Sequence, residues 1–113
     1  MIVYGIPNCD TVKKARTWLT DQGIDFTFHD FRKDGLERDL AAIFIAELGS
    51  DLVINRRGTT WRKLTDAQKD IQSDDQAIDL IVEFPAMIKR PVIDAGGSFT
   101  VGFTDDVREK LAG

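Results

Sequence analysis

The chain carries a single cysteine, Cys9, in the string Ile2-Val3-Tyr4-Gly5-Ile6-Pro7-Asn8-Cys9-Asp10-Thr11-Val12-Lys13-Lys14-Ala15-Arg16. An apolar strand breaks there into a turn just ahead of a helix, a place where a thiol can be activated. The unbonded N–H groups of a helix's first turn converge at that point and carry roughly half a positive charge, which favours thiolate over thiol. Each unit by which a thiol pKa falls takes about 1.4 kcal/mol, whereas a helix terminus supplies only about 0.3 to 1 kcal/mol, and about 2 when partly buried. A working thiolate at Cys9 therefore calls for a second positive group. Arg56, Arg57 and Arg90, each at a loop or strand edge, are the candidates.

Neighbouring residues are read against plainer roles. Thr11 either caps the helix or hydrogen-bonds the sulfur, and Asn8 is first a turn former. Lys13 and Lys14 sit in the first turn, where positive charge opposes the helix dipole, so their position beside a thiolate invites a functional reading. Asp30 to Lys33 read as an alternating charged loop, and His29, Trp18 and Trp61 as packing or surface residues. His29 lacks the Cys or His companions of a zinc site, so no metal is expected; no phosphate-binding or dinucleotide-binding glycine motif occurs.

The elements that must position Cys9 follow from periodicity. Ile2 to Tyr4 form a short buried strand, and a helix runs from about Asp10 to Gln22, ended by Gly23, with Val12, Ala15 and Leu19 inward. Ile24, Phe26 and Phe28 alternate with polar residues as a second strand, so the chain opens as a right-handed strand-helix-strand crossover. Glu37 to Leu48 form a helix with Leu40, Ile43, Phe44 and Leu48 along one stripe. Thr65-Asp66-Ala67-Gln68 and Ser73-Asp74-Asp75-Gln76 have capping-box spacing, the second opening a helix with Ile78, Ile81 and Val82 inward. Pro85 bends or restarts that helix. Lys89 to Asp94 turns into an extended run that forms an antiparallel hairpin with Ser98 to Phe103 through Gly96-Gly97, and Thr104-Asp105-Asp106 can cap a final helix through Leu111.

At 113 residues, with 42% hydrophobic and 30% charged residues, the chain reads as one soluble globular domain. A net charge of −4 argues against nonspecific nucleic-acid binding. The absence of a positively charged, apolar leader or a long apolar run argues against secretion and membrane insertion, and one unpaired cysteine suits a reducing compartment, so the expected location is the cytoplasm.

From Tyr4 to Gly102 the chain resembles the arsenate reductase-like (ArsC/Spx) family, most closely its short YffB-like branch. The resemblance is carried by Asn8 to Arg16, by His29-Asp30-Phe31-Arg32-Lys33-Asp34-Gly35, by Arg57-Gly58-Thr59-Thr60-Trp61 and by Lys89-Arg90-Pro91-Val92. It implies an α/β, thioredoxin-like fold: a mixed four-stranded sheet built from β-α-β and β-β-α halves, one domain over residues 1–113 with a helical insertion at approximately 37–86. It also implies a nucleophilic Cys9, arginines near the thiol at Arg90 and one of Arg56 or Arg57, with Arg57 favoured by its spacing to Trp61, and a cis-proline position at Pro91. Arsenate reductases of the family carry a His shortly before the Cys and a further arginine after the Arg-Pro strand. Here those places read Gly5 and an arginine-free Ser98-to-Phe103 strand, which implies poor arsenate binding. Spx regulators carry a second Cys three positions after the first, where this chain has Val12.

The function expected from this reading is a thiol-dependent reductase. Cys9 is the nucleophile, Arg90, Arg57 and Thr11 assist it, and Asn8, Lys13, Arg56 and Pro91 contact glutathione or a similar small thiol acting as co-substrate. No tightly bound cofactor is expected. The alternative is a noncatalytic Spx-like interaction protein with a protein partner, and arsenate reduction ranks below both.

Overall fold

The computed structural model of the protein describes residues 1–113. The chain divides into two compact units, one formed by Met1–Gly35 with Arg90–Gly113 and the other by Leu36–Lys89.

The first unit holds a four-stranded sheet in the order β2-β1-β3-β4. β1 (Ile2–Gly5) and β2 (Thr27–Asp30) are parallel, and the helix α1 (Asp10–Asp21) makes the crossover that parallel pairing requires. β3 (Val92–Asp94) runs antiparallel to β1, and β4 (Phe99–Val101) antiparallel to β3. With α7 (Asp105–Ala112) this completes the mixed α/β sheet that the sequence predicts, β-α-β followed by β-β-α. Val3, Leu19 and Ile93 are fully buried together, which sets α1 against the sheet. The hairpin turns where predicted: Gly96 and Gly97 have φ of 72° and 97°, a region only glycine enters freely, and Gly97 N–H donates to Asp94 Oδ1 at 2.7 Å.

The second strand is shorter than its alternation suggests. β1 starts at Ile2 and Thr27 N–H already donates to the Met1 carbonyl at 2.9 Å, so the chain upstream of Thr27 has no strand to pair with. Ile24 and Phe26 pack on the Val3, Leu19 and Ile93 cluster without joining the ladder.

The second unit is helical. α2 (Arg38–Leu48) is followed by the single turns α3 (Ser50–Val53), α4 (Thr59–Arg62) and α5 (Asp66–Lys69), then by α6 (Asp74–Glu83) and a 3₁₀ turn at Pro85–Met87. α2 packs on α6, and Arg38 ion-pairs with Asp79 across them. The inward stripe of α2 is Ala41, Phe44 and Ile45, whereas Ile43 is 45% exposed, a rotation of the predicted stripe by about a quarter of a turn that keeps Phe44 inward. In α6 the buried residues are Ala77, Ile78, Leu80 and Ile81, with Val82 only half-buried. Thr65 and Gln68 close a full capping box. Ser73 accepts from Gln76 N–H, but Gln76 Oε1 takes the N–H of Gln72 rather than that of Ser73, so only one arm of the second box forms.

Candidate functional site

Gly5, the last residue of β1, allows the first turn of α1 to approach the sheet. A Cβ at Gly5 would stand 2.7 Å from Cγ2 of the fully buried Val12, closer than packed carbons come. The chain then passes through Ile6, Pro7 and Asn8 to Cys9, which is the N-cap residue of α1: its backbone is extended (φ −109°, ψ 125°), and its carbonyl accepts the first helical bond, from Lys13 N–H at 2.9 Å. The thiol is therefore at the helix terminus itself, half-buried.

Arg90 reaches the same end of the sheet from β3. The antiparallel register pairs Tyr4 with Val92, so the residues before Val92 run alongside those after Tyr4. The Arg90–Pro91 peptide is cis, Pro91 is fully buried, and the Pro91 carbonyl accepts from Gly102 N–H at 2.8 Å, which ties this corner to the end of β4.

Burial pushes the Cys9 thiol pKa up, and that is the largest single influence on it. The opposing effects together outweigh it: the Val12 N–H, a hydrogen bond and the positive charge of the Arg90 guanidinium, and the Thr11 N–H all favour the sulfur anion, and the net pKa lies below that of an ordinary cysteine. No side-chain capping bond of full geometry closes on the sulfur, so the two N–H groups act chiefly through their dipoles. Two kinds of positive charge, helix terminus and guanidinium, thus meet at one thiol.

The loop after β2 belongs to the same end. Because β1 and β2 are parallel, their carboxyl ends lie side by side, and Phe31 N–H continues the ladder to the Gly5 carbonyl at 2.9 Å. Phe31 is buried beside Tyr4, and Arg32 Nη1 donates to Asn8 Oδ1 at 3.3 Å, next to the cysteine.

The sequence model of the ArsC family matches residues 4–111. The chain belongs to the ArsC family. It is similar to the solved structure of the YFFB protein, with 44% identity and a TM-score of 0.92 over 99% of this chain and 98% of that one. An arsenate reductase (ArsC) related protein from Brucella melitensis is 42% identical with a TM-score of 0.77, covering 96% of this chain and 91% of that one. The global transcriptional regulator Spx of Streptococcus pyogenes is 31% identical over 88% of this chain and 75% of its own.

Among the residues expected to form the ArsC-family site, the first unit brings together Cys9, Arg90, Asn8, Thr11 and Pro91. Thr11 acts through its backbone N–H; its hydroxyl does not cap α1, whose N-cap is Cys9. Lys13 lines two open grooves along α1, of about 360 and 400 Å³, together with Thr17 and Asp21. Arg56 and Arg57 belong to the second unit. There Arg56 lies over the Trp61 ring at 5.2 Å and pairs with Asp51 at 3.3 Å. Arg57 N–H donates to Asn55 Oδ1 at 3.1 Å, and the Arg57 carbonyl accepts from Arg62. Asn55, Arg56, Arg57 and Lys89 line a basic surface hollow of about 340 Å³ with Asp51 and Ile54.

Two contributors escape composition-based reading. The Val12 N–H is a backbone group that only the helix start betrays, and Arg32 hides in a segment that reads as a charged loop. No group of three or more His, Cys, Asp or Glu side chains converges as a metal site would require, and no helix is long and apolar enough to cross a membrane.

Proposed function

We propose that the protein is a thiol-dependent reductase in which Cys9 is the nucleophile and glutathione or a similar small thiol is the reductant. The observation that carries this reading is the placement of Cys9 as the N-cap of α1 with the Arg90 guanidinium beside its sulfur, an arrangement that favours the thiolate. The Cys9 thiolate attacks the glutathione sulfur of a mixed disulfide. The new Cys9–S bond forms as the old disulfide breaks, and the leaving thiolate takes a proton. A second glutathione thiolate then attacks the Cys9 adduct, releasing oxidised glutathione and restoring the Cys9 thiolate. Arg90 and the N–H groups of Val12 and Thr11 hold the sulfur anion in the resting state and again as it leaves.

With a single cysteine in the chain, the stable oxidised form is a one-to-one adduct at Cys9. Intact-mass analysis after treatment with oxidised glutathione is expected to show it, and to show none in Cys9→Ser. Failure to form an adduct where a reactive control thiol is modified overturns the glutathione reading.

The identity to Spx supports a second reading, a noncatalytic interaction protein with a protein partner. Val12 stands three residues after Cys9, so an internal disulfide switch is not part of that reading. A stoichiometric partner recovered equally with Cys9→Ser would favour it over catalysis. Arsenate reduction ranks below both, because a side chain at Gly5 collides with Val12 and β4 carries no arginine; Cys9-dependent turnover of arsenate would reverse that order.

A further inference from the structure

We propose that Arg32 is the anion-receiving group of the Cys9 site, taking a carboxylate of the small thiol whose sulfur Cys9 attacks. This deepens the thiol-reductase reading and rests on it. Arg90 is the group the family resemblance suggests for carboxylates, but part of its guanidinium serves the Cys9 sulfur. A carboxylate arriving with the substrate sulfur needs another cation, and at the Cys9 turn the first unit offers Arg32. Its Nη1 has only the neutral Asn8 Oδ1, at 3.3 Å, and no carboxylate lies within ion-pairing distance of it.

The loop's own acids make no ion pair with that guanidinium. Both are turned onto backbone: Asp30 Oδ1 accepts from Arg32 N–H at 2.9 Å, and Asp34 Oδ2 accepts from Asp30 N–H at 3.0 Å. The frame is fixed at both ends, by Phe31 N–H on the Gly5 carbonyl and by His29 Nε2–H donating to the Gly35 carbonyl at 2.8 Å. A guanidinium held at the rim by a neutral amide keeps its charge and donors for a planar carboxylate, which it binds with a geometry that ammonium groups lack. Lys13, another cation near the turn, lines the grooves along α1 with Asp21.

The test compares Cys9 alkylation by anionic iodoacetate and by neutral iodoacetamide at one pH. Both reagents consume the same thiolate, so their rate ratio cancels its pKa and reports the local field on an incoming anion. Arg32→Gln is expected to lower the ratio roughly threefold at about 0.01 M salt, an effect that shrinks in about 1 M salt, while Arg32→Lys retains most of it. The same variant should slow adduct formation with oxidised glutathione but not with uncharged bis(2-hydroxyethyl) disulfide. An unchanged ratio, or equal slowing with both alkylating reagents, overturns the role of Arg32 and leaves the reductase reading standing. A Cys9 inert to both reagents in the unsubstituted protein overturns the reductase reading and this proposal with it.

Discussion

The Arg90 guanidinium hydrogen-bonds to the Cys9 sulfur, joining the residue before β3 to the N-cap of α1. Burial alone would raise the thiol pKa, so the anion depends on Arg90 and on the N–H groups of Val12 and Thr11. Arg90→Ala is expected to shift the pH profile of iodoacetamide alkylation to higher pH. A profile that does not move would remove Arg90 from the site.

The same lowered pKa has a consequence for stability. The folded state binds a proton at Cys9 more weakly than the unfolded chain does, so its contribution is fully present above the unfolded thiol pKa, about 8.5, and is lost as pH falls through the folded value. The stability difference between the parent and Cys9→Ser, measured by urea denaturation, should therefore grow from neutral to mildly alkaline pH. A difference independent of pH would mean that the sulfur is not stabilised as an anion.

Gly5→Ala tests how the site is seated. The added methyl group meets Val12, whose side chain is fully buried and branched at Cβ, so the first turn of α1 must move. A loss of about 1 to 3 kcal/mol is expected, together with a higher Cys9 pKa as the Val12 N–H is displaced. Unchanged stability would show that Val12 yields without cost.

What the sequence makes legible here is local, and what it hides is register and backbone. The place of Cys9 before a helix, the glycine hairpin and the Thr104 cap follow from short-range rules, and Thr104 Oγ1 does accept from Val107 N–H. The start of β2 does not, because it depends on where β1 begins. The stripe of α2 misleads because Leu40, Ala41, Ile43, Phe44, Ile45 and Leu48 offer several overlapping apolar faces, and only packing on α6 selects Ala41, Phe44 and Ile45. At the site, the need for a second positive charge reaches Arg90 only as one of three arginines, and resemblance singles out Arg90 and Pro91. Arg32 requires knowing that the loop after β2 ends beside Asn8.

That choice of face in α2 gives a paired prediction. Phe44→Ala empties a fully buried position and should cost about 3 to 5 kcal/mol, whereas Ile43→Ala, at a position 45% exposed, should cost less than about 1 kcal/mol. Similar losses from both, in denaturation midpoints at constant m-value, would mean that the helix is rotated from its place here.

Tyr4 supplies a second titration, at alkaline pH. It is buried in β1 with the His29 ring 5.0 Å away, and its pKa is raised first by burial and then by the negative charge of Asp94. The folded state therefore holds the phenol proton more tightly than the unfolded chain. The resulting stability is fully present below the ordinary phenol pKa, about 10, and is lost as pH rises through the folded value. As the only tyrosine in the chain, Tyr4 can be followed by phenolate absorbance without ambiguity. Its midpoint should lie above that of the urea-unfolded chain, and Asp94→Asn, which keeps the acceptor for Gly97 N–H, should bring it part of the way back. Tyr4→Phe should flatten the part of the alkaline stability loss that the phenol causes. A folded midpoint no higher than the unfolded one would mean that the ring is solvated, and would undo the packing of β1 described here.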